Sequence, residues 1–180
     1  MRVSIVGSSG SGKTTLAKRI VERTGIHHIE LDALHHLEGW VQQERALMRA
    51  QVAKELEHPD WVCDGNYESM VGDLVRAAPD TILVFDLPRV RVVRQVAWRT
   101  VKRAVRREEL WNGNREPLSN FTRWDPEHNV IRWSWVNHEK YQKRFQQAME
   151  TGEWDHAEVV RLTSHADADR WLASLQETAQ

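Results

Sequence analysis

Five short apolar segments are spaced along the chain, and the stretches between them carry apolar residues at helical spacing. The segments are residues 2–6, 27–31, 61–63, 81–85 and 158–162. Segment 81–85, Thr-Ile-Leu-Val-Phe, has no polar alternation, which is typical of a strand whose two faces are both covered in a parallel sheet. We therefore predict five strands, with the fourth covered on both faces.

Helical spacing predicts the elements that connect these strands. The predicted helices are residues 13–23, 43–57, 88–107, 128–150 and 166–175. Gly25 stands where a left-handed helix cap is common, and Pro59 ends the second helix. Strands that alternate with helices through right-handed crossovers predict a three-layer α/β fold with helices on both faces of the sheet.

Length and composition narrow the class of protein. A chain of 180 residues with no repeat or linker suits one domain, 1–180. Its formal net charge of -1 argues against a general nucleic-acid or membrane binder. The single cysteine, Cys63, cannot form an internal disulfide, which favours a reducing cytoplasm and a small buried role. No segment has the length and apolarity of a signal peptide or membrane helix, so we expect a soluble cytoplasmic protein.

The segment after the first strand is rich in glycine and serine. The spacing Gly7-x-x-x-x-Gly12-Lys13-Thr14 is the phosphate-binding loop pattern, and a strand precedes it while a helix follows. Glycines let successive backbone amides point inward at the positive end of a helix. We expect Lys13 to reach the β- and γ-phosphates and Thr14 to ligate magnesium. The predicted cofactor-binding residues are Gly7, Ser8, Ser9, Gly10, Ser11, Gly12, Lys13, Thr14 and Thr15.

Acidic residues at the ends of neighbouring strands are candidates for the rest of the site. Asp64 and Asp86 each follow a predicted strand, and either could position magnesium. We favour Asp64 because the turn 64–67 can face a ligand, whereas Asp86 leads into Leu-Pro. Asp32, after the second strand, could cap a helix or accept a proton from a substrate hydroxyl.

At this point the chain resembles the adenylate-kinase-like P-loop small-molecule kinases, and within them the DNA topology modulation protein family. The likeness rests on segments 7–15, 31–34, 39–41, 61–67 and 85–89 and on the helix with Trp133 and Trp135. It implies a P-loop NTPase fold with a five-stranded parallel sheet, a lid at about residues 103–128, and phosphoryl transfer from ATP with Mg2+ to a small acceptor. The resemblance says little about the acceptor.

The predicted helix 88–107 carries a concentration of positive charge. Its basic residues are Arg89, Arg91, Arg94, Arg99, Lys102, Arg103, Arg106 and Arg107, and its predicted apolar face is Val90, Val93, Ala97, Val101 and Ala104. Arg99 and Arg103 match the lid-entry arginines that the resemblance implies, with Arg107 and Arg115 as further candidates. The alternatives are a solvated helix face or a nucleic-acid phosphate contact aided by stacking on Trp111 and Trp124.

Histidine and tryptophan clusters suggest two further sites. His27, His28, His35 and His36 suggest a zinc site. We disfavour it because adjacent histidines on a strand point to opposite faces. Trp133 and Trp135 cannot share a helix face, so one of them is a candidate for the acceptor pocket.

Two hypotheses of different class follow. The first is an ATP-dependent kinase of a small molecule or nucleotide with catalytic residues Lys13, Arg99, Arg103 and Asp32 and metal residues Thr14 and Asp64. The second is an ATP-binding regulatory or nucleic-acid-associated protein with little chemistry. A GTPase is disfavoured because the sequence has no Asn-Lys-x-Asp segment. The acceptor and the oligomeric state stay open.

Overall fold

The computed structural model describes residues 1–106, 108–115 and 129–175. Its strands are β1 (Arg2–Gly7), β2 (His27–Glu30), β3 (Trp61–Asp64), β4 (Thr81–Phe85) and β5 (Glu158–Leu162). They form one sheet in the order β2-β3-β1-β4-β5, and every neighbouring pair is parallel. The predicted five-stranded parallel α/β sheet is confirmed.

Seven α-helices lie in the described ranges. They are α1 (Lys13–Thr24), α2 (Leu31–His35), α3 (Arg45–Glu55), α4 (Glu68–Ala77), α5 (Arg89–Arg106), α6 (Val130–Glu150) and α7 (His165–Ser174). Gly25 ends α1 with a left-handed φ of 73°, as predicted. Helix α4 was not predicted, although Val71 and Val75 on its buried side stand at helical spacing.

Alternate side chains of β4 show why the sheet is covered on both faces. Leu83 and Phe85 belong to a buried cluster with α1, α5 and α7. Ile82 and Val84 point to the opposite face and pack against α6. A third cluster joins β2 and β3 to α3 and α4. Both faces of the strand are thus buried, which explains the absence of polar alternation in its sequence.

Helix α5 buries a different face from the predicted one. Val90 and Val101 are 60% and 44% exposed. The buried positions are Val92, Val96 and Thr100. Valines occupy both stripes at four-residue spacing, so packing against the sheet decided which stripe is inside. Because Val92, Val96 and Thr100 face inward, Arg99 and Arg103 lie at the carboxyl edge of the sheet, where they line a cavity.

Cys63 is buried within β3, and burial raises the pKa of its thiol above the usual value. Within the described ranges, every helix is too short or too polar to traverse a lipid bilayer.

Candidate functional site

The loop between β1 and α1 packs so closely that a side chain would clash at Gly7 and Gly10 and would be crowded at Gly12, where φ is 106°. Gly10 has a left-handed φ of 81°, and a Cβ there would collide with the side chain of Val96. A Cβ on Gly7 would lie 2.7 Å from the Cβ of Phe85, and one on Gly12 would lie 3.2 Å from His165. The glycines therefore let the backbone itself form the wall of the cavity.

Lys13 closes this loop from the helix side. Its Nζ donates hydrogen bonds to the carbonyl oxygens of Gly7 at 2.8 Å and Ser8 at 3.1 Å. The hydroxyl of Ser11 is fully buried and has no hydrogen-bond partner among the described residues. Ser11 is not among the described residues that line the cavity, and its hydroxyl lies within the loop, 2.9 Å from the position of a Cβ on Gly7.

The charge on Lys13 is set by burial and by its neighbours. Desolvation lowers the pKa of Lys13, while the carboxylates of Asp32 and Asp64 raise it and the guanidinium of Arg99 lowers it. The structure therefore brings four of the predicted site residues within electrostatic reach of one another. Two cations and two carboxylates at one point are suited to a ligand that carries negative charge and a bound cation.

Thr14 and Asp64 are in direct contact across two elements. The Thr14 hydroxyl donates to Oδ2 of Asp64 at 2.5 Å. His28 lies 2.8 Å from the other carboxylate oxygen. Asp86, the alternative metal residue, instead accepts hydrogen bonds from Gln142 at 2.8 Å and from Arg161. Asp64 is thus the carboxylate beside the loop, and Asp86 is engaged elsewhere.

These residues fit a magnesium-bound nucleoside triphosphate. Magnesium prefers oxygen ligands, and Thr14 and Asp64 supply a hydroxyl and a carboxylate. The glycine backbone and the ammonium of Lys13 suit phosphate oxygens. Thr14 and Asp64 are the residues that would hold the ion.

Asp32 lies in the first turn of α2, and its orientation is fixed by a tyrosine. The Tyr67 hydroxyl donates to Oδ1 of Asp32 at 2.7 Å and lies 3.3 Å from Nε2 of His36. Burial raises the pKa of Tyr67, and the charge of Asp32 raises it further. Tyr67 therefore stays a neutral donor, and the second oxygen of Asp32 can accept a substrate proton.

Arg99 and Arg103 enter the same cavity from α5. The cavity has a volume of about 740 Å3, and its lining also includes Lys13, Thr14 and Asp32. Nε of Arg103 lies 3.9 Å from a carboxylate oxygen of Glu108. The predicted catalytic residues therefore face one space.

The segment 108–115 is attached to α2 and the turn after it. The Asn112 side chain donates to the carbonyl oxygens of Ala33 at 3.0 Å and His36 at 2.6 Å. Asn114 is buried and receives a 2.9 Å hydrogen bond from the backbone of Trp40. These contacts hold the described part of the predicted lid against the β2 side of the cavity.

The structure describes only some of the other residues predicted for the lid. Arg115 is exposed, with a carboxylate oxygen of Glu109 at 3.8 Å. Arg107 and residues 116–128, including Trp124, lie outside the described residues.

The paired tryptophans of α6 do not line the described cavity. Trp133 lies 5.9 Å from the ring of Tyr141, and Trp135 lies on the surface under Arg89. Neither is among the described residues that line the cavity, and the expectation that one of them faces the acceptor stays a prediction. Trp111, which sequence reasoning treated only as a stacking platform for nucleic acid, lies in that lining instead.

The four histidines for which a zinc site was considered and disfavoured do not converge on one point. His28 contacts Asp64, whereas His35 and His36 lie beside Tyr67. His27 approaches Glu55 at 2.5 Å and stacks on His58 with ring centroids 4.0 Å apart. This grouping lies at the amino-terminal end of β2, away from the cavity, and only His27 had been singled out in the sequence.

Several residues of the cavity were missed by sequence reasoning. Glu30 at the end of β2 accepts a 2.7 Å hydrogen bond from the indole of Trp111. His165, the first residue of α7, lies 3.2 Å from the carbonyl oxygen of Ser11. Their positions after β2 and β5, at the carboxyl edge of a parallel sheet, are the signal that could have found them.

A comparison with known families supplies an independent finding. The model of a family described as an AAA domain matches residues 3–111. The matched region includes the loop, Asp32, Asp64 and all of α5. No curated protein matches the chain.

Proposed function

The chain belongs to the AAA domain family, a P-loop NTPase-type family that includes kinases, and on this premise we propose that it is an ATP-dependent phosphotransferase with a small-molecule acceptor. The observation that carries the proposal is the shared cavity. Lys13 and Thr14 of the loop face the same space as Asp32 on α2 and the arginines of α5. A protein that only bound the nucleotide would not need a fixed carboxylate there.

Each residue has a separate role in this proposal. Lys13 binds the β- and γ-phosphates of the nucleotide. Magnesium, when bound by Thr14 and Asp64, supplies neutralisation of phosphate charge. Asp32 orients the acceptor hydroxyl and takes its proton, with Tyr67 holding the carboxylate in place. Arg99 and Arg103 stabilise negative charge on the group in transfer and exclude water, which would otherwise compete with the acceptor.

The finer resemblance to adenylate-kinase-like small-molecule kinases supports the same reaction type. The five-stranded order β2-β3-β1-β4-β5 and a carboxylate on the strand next to the loop are consistent with it. The likeness to DNA topology modulation proteins names no acceptor, and fold alone cannot supply one.

The proposed reaction is tested by release of ADP from Mg-ATP in the presence of candidate acceptors. A panel of sugars, nucleosides, nucleotides and hydroxy acids is compared for the wild type and Lys13→Ala. Acceptor-stimulated release that disappears in the variant supports the proposal. If no acceptor in the panel stimulates the release of ADP, the proposed function is contradicted.

A second candidate function is nucleic-acid binding, and one observation favours it. The outer face of α5 exposes Arg91 and Arg94, and the neighbouring Trp98 is 72% exposed. Cations beside an exposed indole suit a phosphate backbone with stacked bases. Binding of single-stranded DNA that weakens steeply with salt, and is lost in Trp98→Ala, would support this function.

A further inference from the structure

The end of the cavity beside β2 differs in chemistry from the rest of the lining. The contact between Thr14 and Asp64 fixes where this end lies relative to a bound nucleotide. Thr14 contacts Asp64 on β3, so the magnesium-binding side of the loop faces the β3–β2 half of the sheet. The β- and γ-phosphates of a nucleotide held by these residues would point that way. Its base and ribose would extend toward β4 and α7, where Phe85 and His165 line the cavity. The acceptor would then lie at the β2 end.

Carboxylates dominate the β2 end. The acidic residues in its lining are Glu30, Asp32, Glu108 and Glu109. Among the cations of the cavity lining, Arg103 lies 3.9 Å from Glu108, and Lys13 interacts electrostatically with Asp32. Arg115 lies 3.8 Å from Glu109 but is exposed. Glu30 and Asp32 accept hydrogen bonds from the neutral donors Trp111 and Tyr67, so these two contacts add no positive charge and leave this end rich in carboxylate oxygens.

We infer that the phosphoryl acceptor is a polyhydroxylated compound that carries no phosphate of its own, such as a sugar or a nucleoside. This inference rests on the proposed function. An acceptor with a phosphomonoester would place a second anion among these carboxylates, in a partly enclosed space where charge repulsion is stronger than in water. Ionised carboxylates are acceptors only, so they suit a ligand that offers several hydroxyl donors.

Trp111 supplies the apolar surface that a sugar ring needs. Its indole nitrogen donates to Glu30 at 2.7 Å, and its ring lies 6.0 Å from the guanidinium of Arg103. The two contacts hold the ring in the cavity wall beside the carboxylates. Aromatic faces and carboxylates together match the apolar and hydroxyl faces of a pyranose or ribose.

The reaction balances with groups that are present or supplied by ATP. The acceptor hydroxyl oxygen forms a bond to the γ-phosphorus, and the bond from that phosphorus to the bridging oxygen of ADP breaks. ADP leaves with the electron pair, and Asp32 takes the hydroxyl proton. The products are a phosphomonoester and ADP, and no oxidant or reductant is needed.

Matched pairs of acceptors that differ only in phosphorylation test the inference. Ribose against ribose 5-phosphate and adenosine against AMP are compared for ADP release and, by calorimetry with a non-hydrolysable ATP analogue, for binding. We expect the unphosphorylated member of at least one pair to have a kcat/KM, or an affinity, at least about tenfold higher. Preference for the phosphorylated member overturns the inference, as does binding of neither member.

The binding measurement separates this inference from the proposed function. Preferential binding of an unphosphorylated member without turnover would contradict the kinase and support the ligand class. In Glu30→Gln we expect the KM for that member to rise at least about threefold, discrimination against the phosphorylated member to shrink, and the KM for ATP to stay constant. Glu22→Gln, on the exposed face of α1, is the matched control. Unchanged discrimination in Glu30→Gln would overturn the role of the acidic end.

Discussion

The hydroxyl of Thr14 donates a 2.5 Å hydrogen bond to the carboxylate of Asp64, fifty positions further along the chain. The contact joins the first turn of α1 to the end of β3, and β3 pairs with β1 in parallel register. Parallel pairing brings the carboxyl ends of both strands to one edge of the sheet. A hydroxyl and a carboxylate that are distant in sequence thereby become neighbours in a site suited to magnesium.

The Asp64 carboxylate is expected to control the magnesium requirement of turnover. In Asp64→Asn, the Mg2+ concentration for half-maximal activity should rise about tenfold or more, because an amide binds the ion and orients its ligands less well. Asp86→Asn is the control, since that carboxylate pairs with Arg161 and Gln142. A larger magnesium effect from Asp86→Asn would reverse the assignment.

Arg99 is expected to act on the transferring group more than on nucleotide affinity. In Arg99→Ala we expect kcat to fall about 100-fold while the Kd for ATP changes little, since the guanidinium stabilises charge that develops in the transition state. Arg94→Ala, on the exposed face of the same helix, should leave both unchanged. Equal losses in kcat and in ATP affinity for Arg99→Ala would indicate simple ground-state binding instead.

Gly10 is expected to be irreplaceable for steric reasons. Gly10→Ala should lower the free energy of unfolding by about 2 kcal/mol or more and weaken ATP binding, because the added methyl meets Val96 and the backbone keeps its left-handed φ. Gly39 has a similar φ of 72°, but no atom lies within 4 Å of the carbon that Gly39→Ala would add. Gly39→Ala should therefore lower the free energy of unfolding by only about 1 kcal/mol. Chemical denaturation measures both, and equal costs would contradict the packing argument.

His35 is expected to make the fold less stable in mild acid. It is buried, and desolvation lowers its pKa from 6.5, with the neighbouring His36 lowering it further. Below pH 6.5 the unfolded chain therefore binds a proton that native His35 does not, so stability falls as the pH drops. In His35→Gln the denaturation midpoint should depend less on pH between 6.5 and 5, about the range where such groups titrate. His156→Gln, at an exposed position, is the control, and an equal flattening there would contradict this assignment.

Local sequence pattern predicted the sheet because its strands are unambiguous. Strands β4 and β5 begin and end at the predicted residues. The continuous apolar run of β4 favours a buried strand, whereas β5 lies at the edge of the sheet and is only partly buried. Helix α5 was predicted in place but with the wrong face inside. Valines at 90 and 101 and at 92 and 96 give two apolar stripes, and only packing against the sheet separates them.

The two ends of the cavity differ in how far the sequence could define them. The loop from Gly7 to Thr15 is a contiguous pattern, so the amino-acid sequence alone predicts its residues. Glu30 and Trp111 are 81 positions apart, and their hydrogen bond depends on how the segment after α5 returns to β2. No local pattern encodes such a pairing, and the acidic end of the cavity is therefore a property of the fold.

Calorimetric titration of the folded protein with ATP, in the presence and absence of magnesium, tests the central claim most directly. The backbone amides of the loop and the ammonium of Lys13 should bind a polyanion, so saturable, magnesium-dependent uptake of ATP is expected. In Lys13→Ala the affinity should fall at least about tenfold, with the circular dichroism of the fold retained. No uptake of ATP by folded wild-type protein, or equal affinity in the variant, would contradict the account.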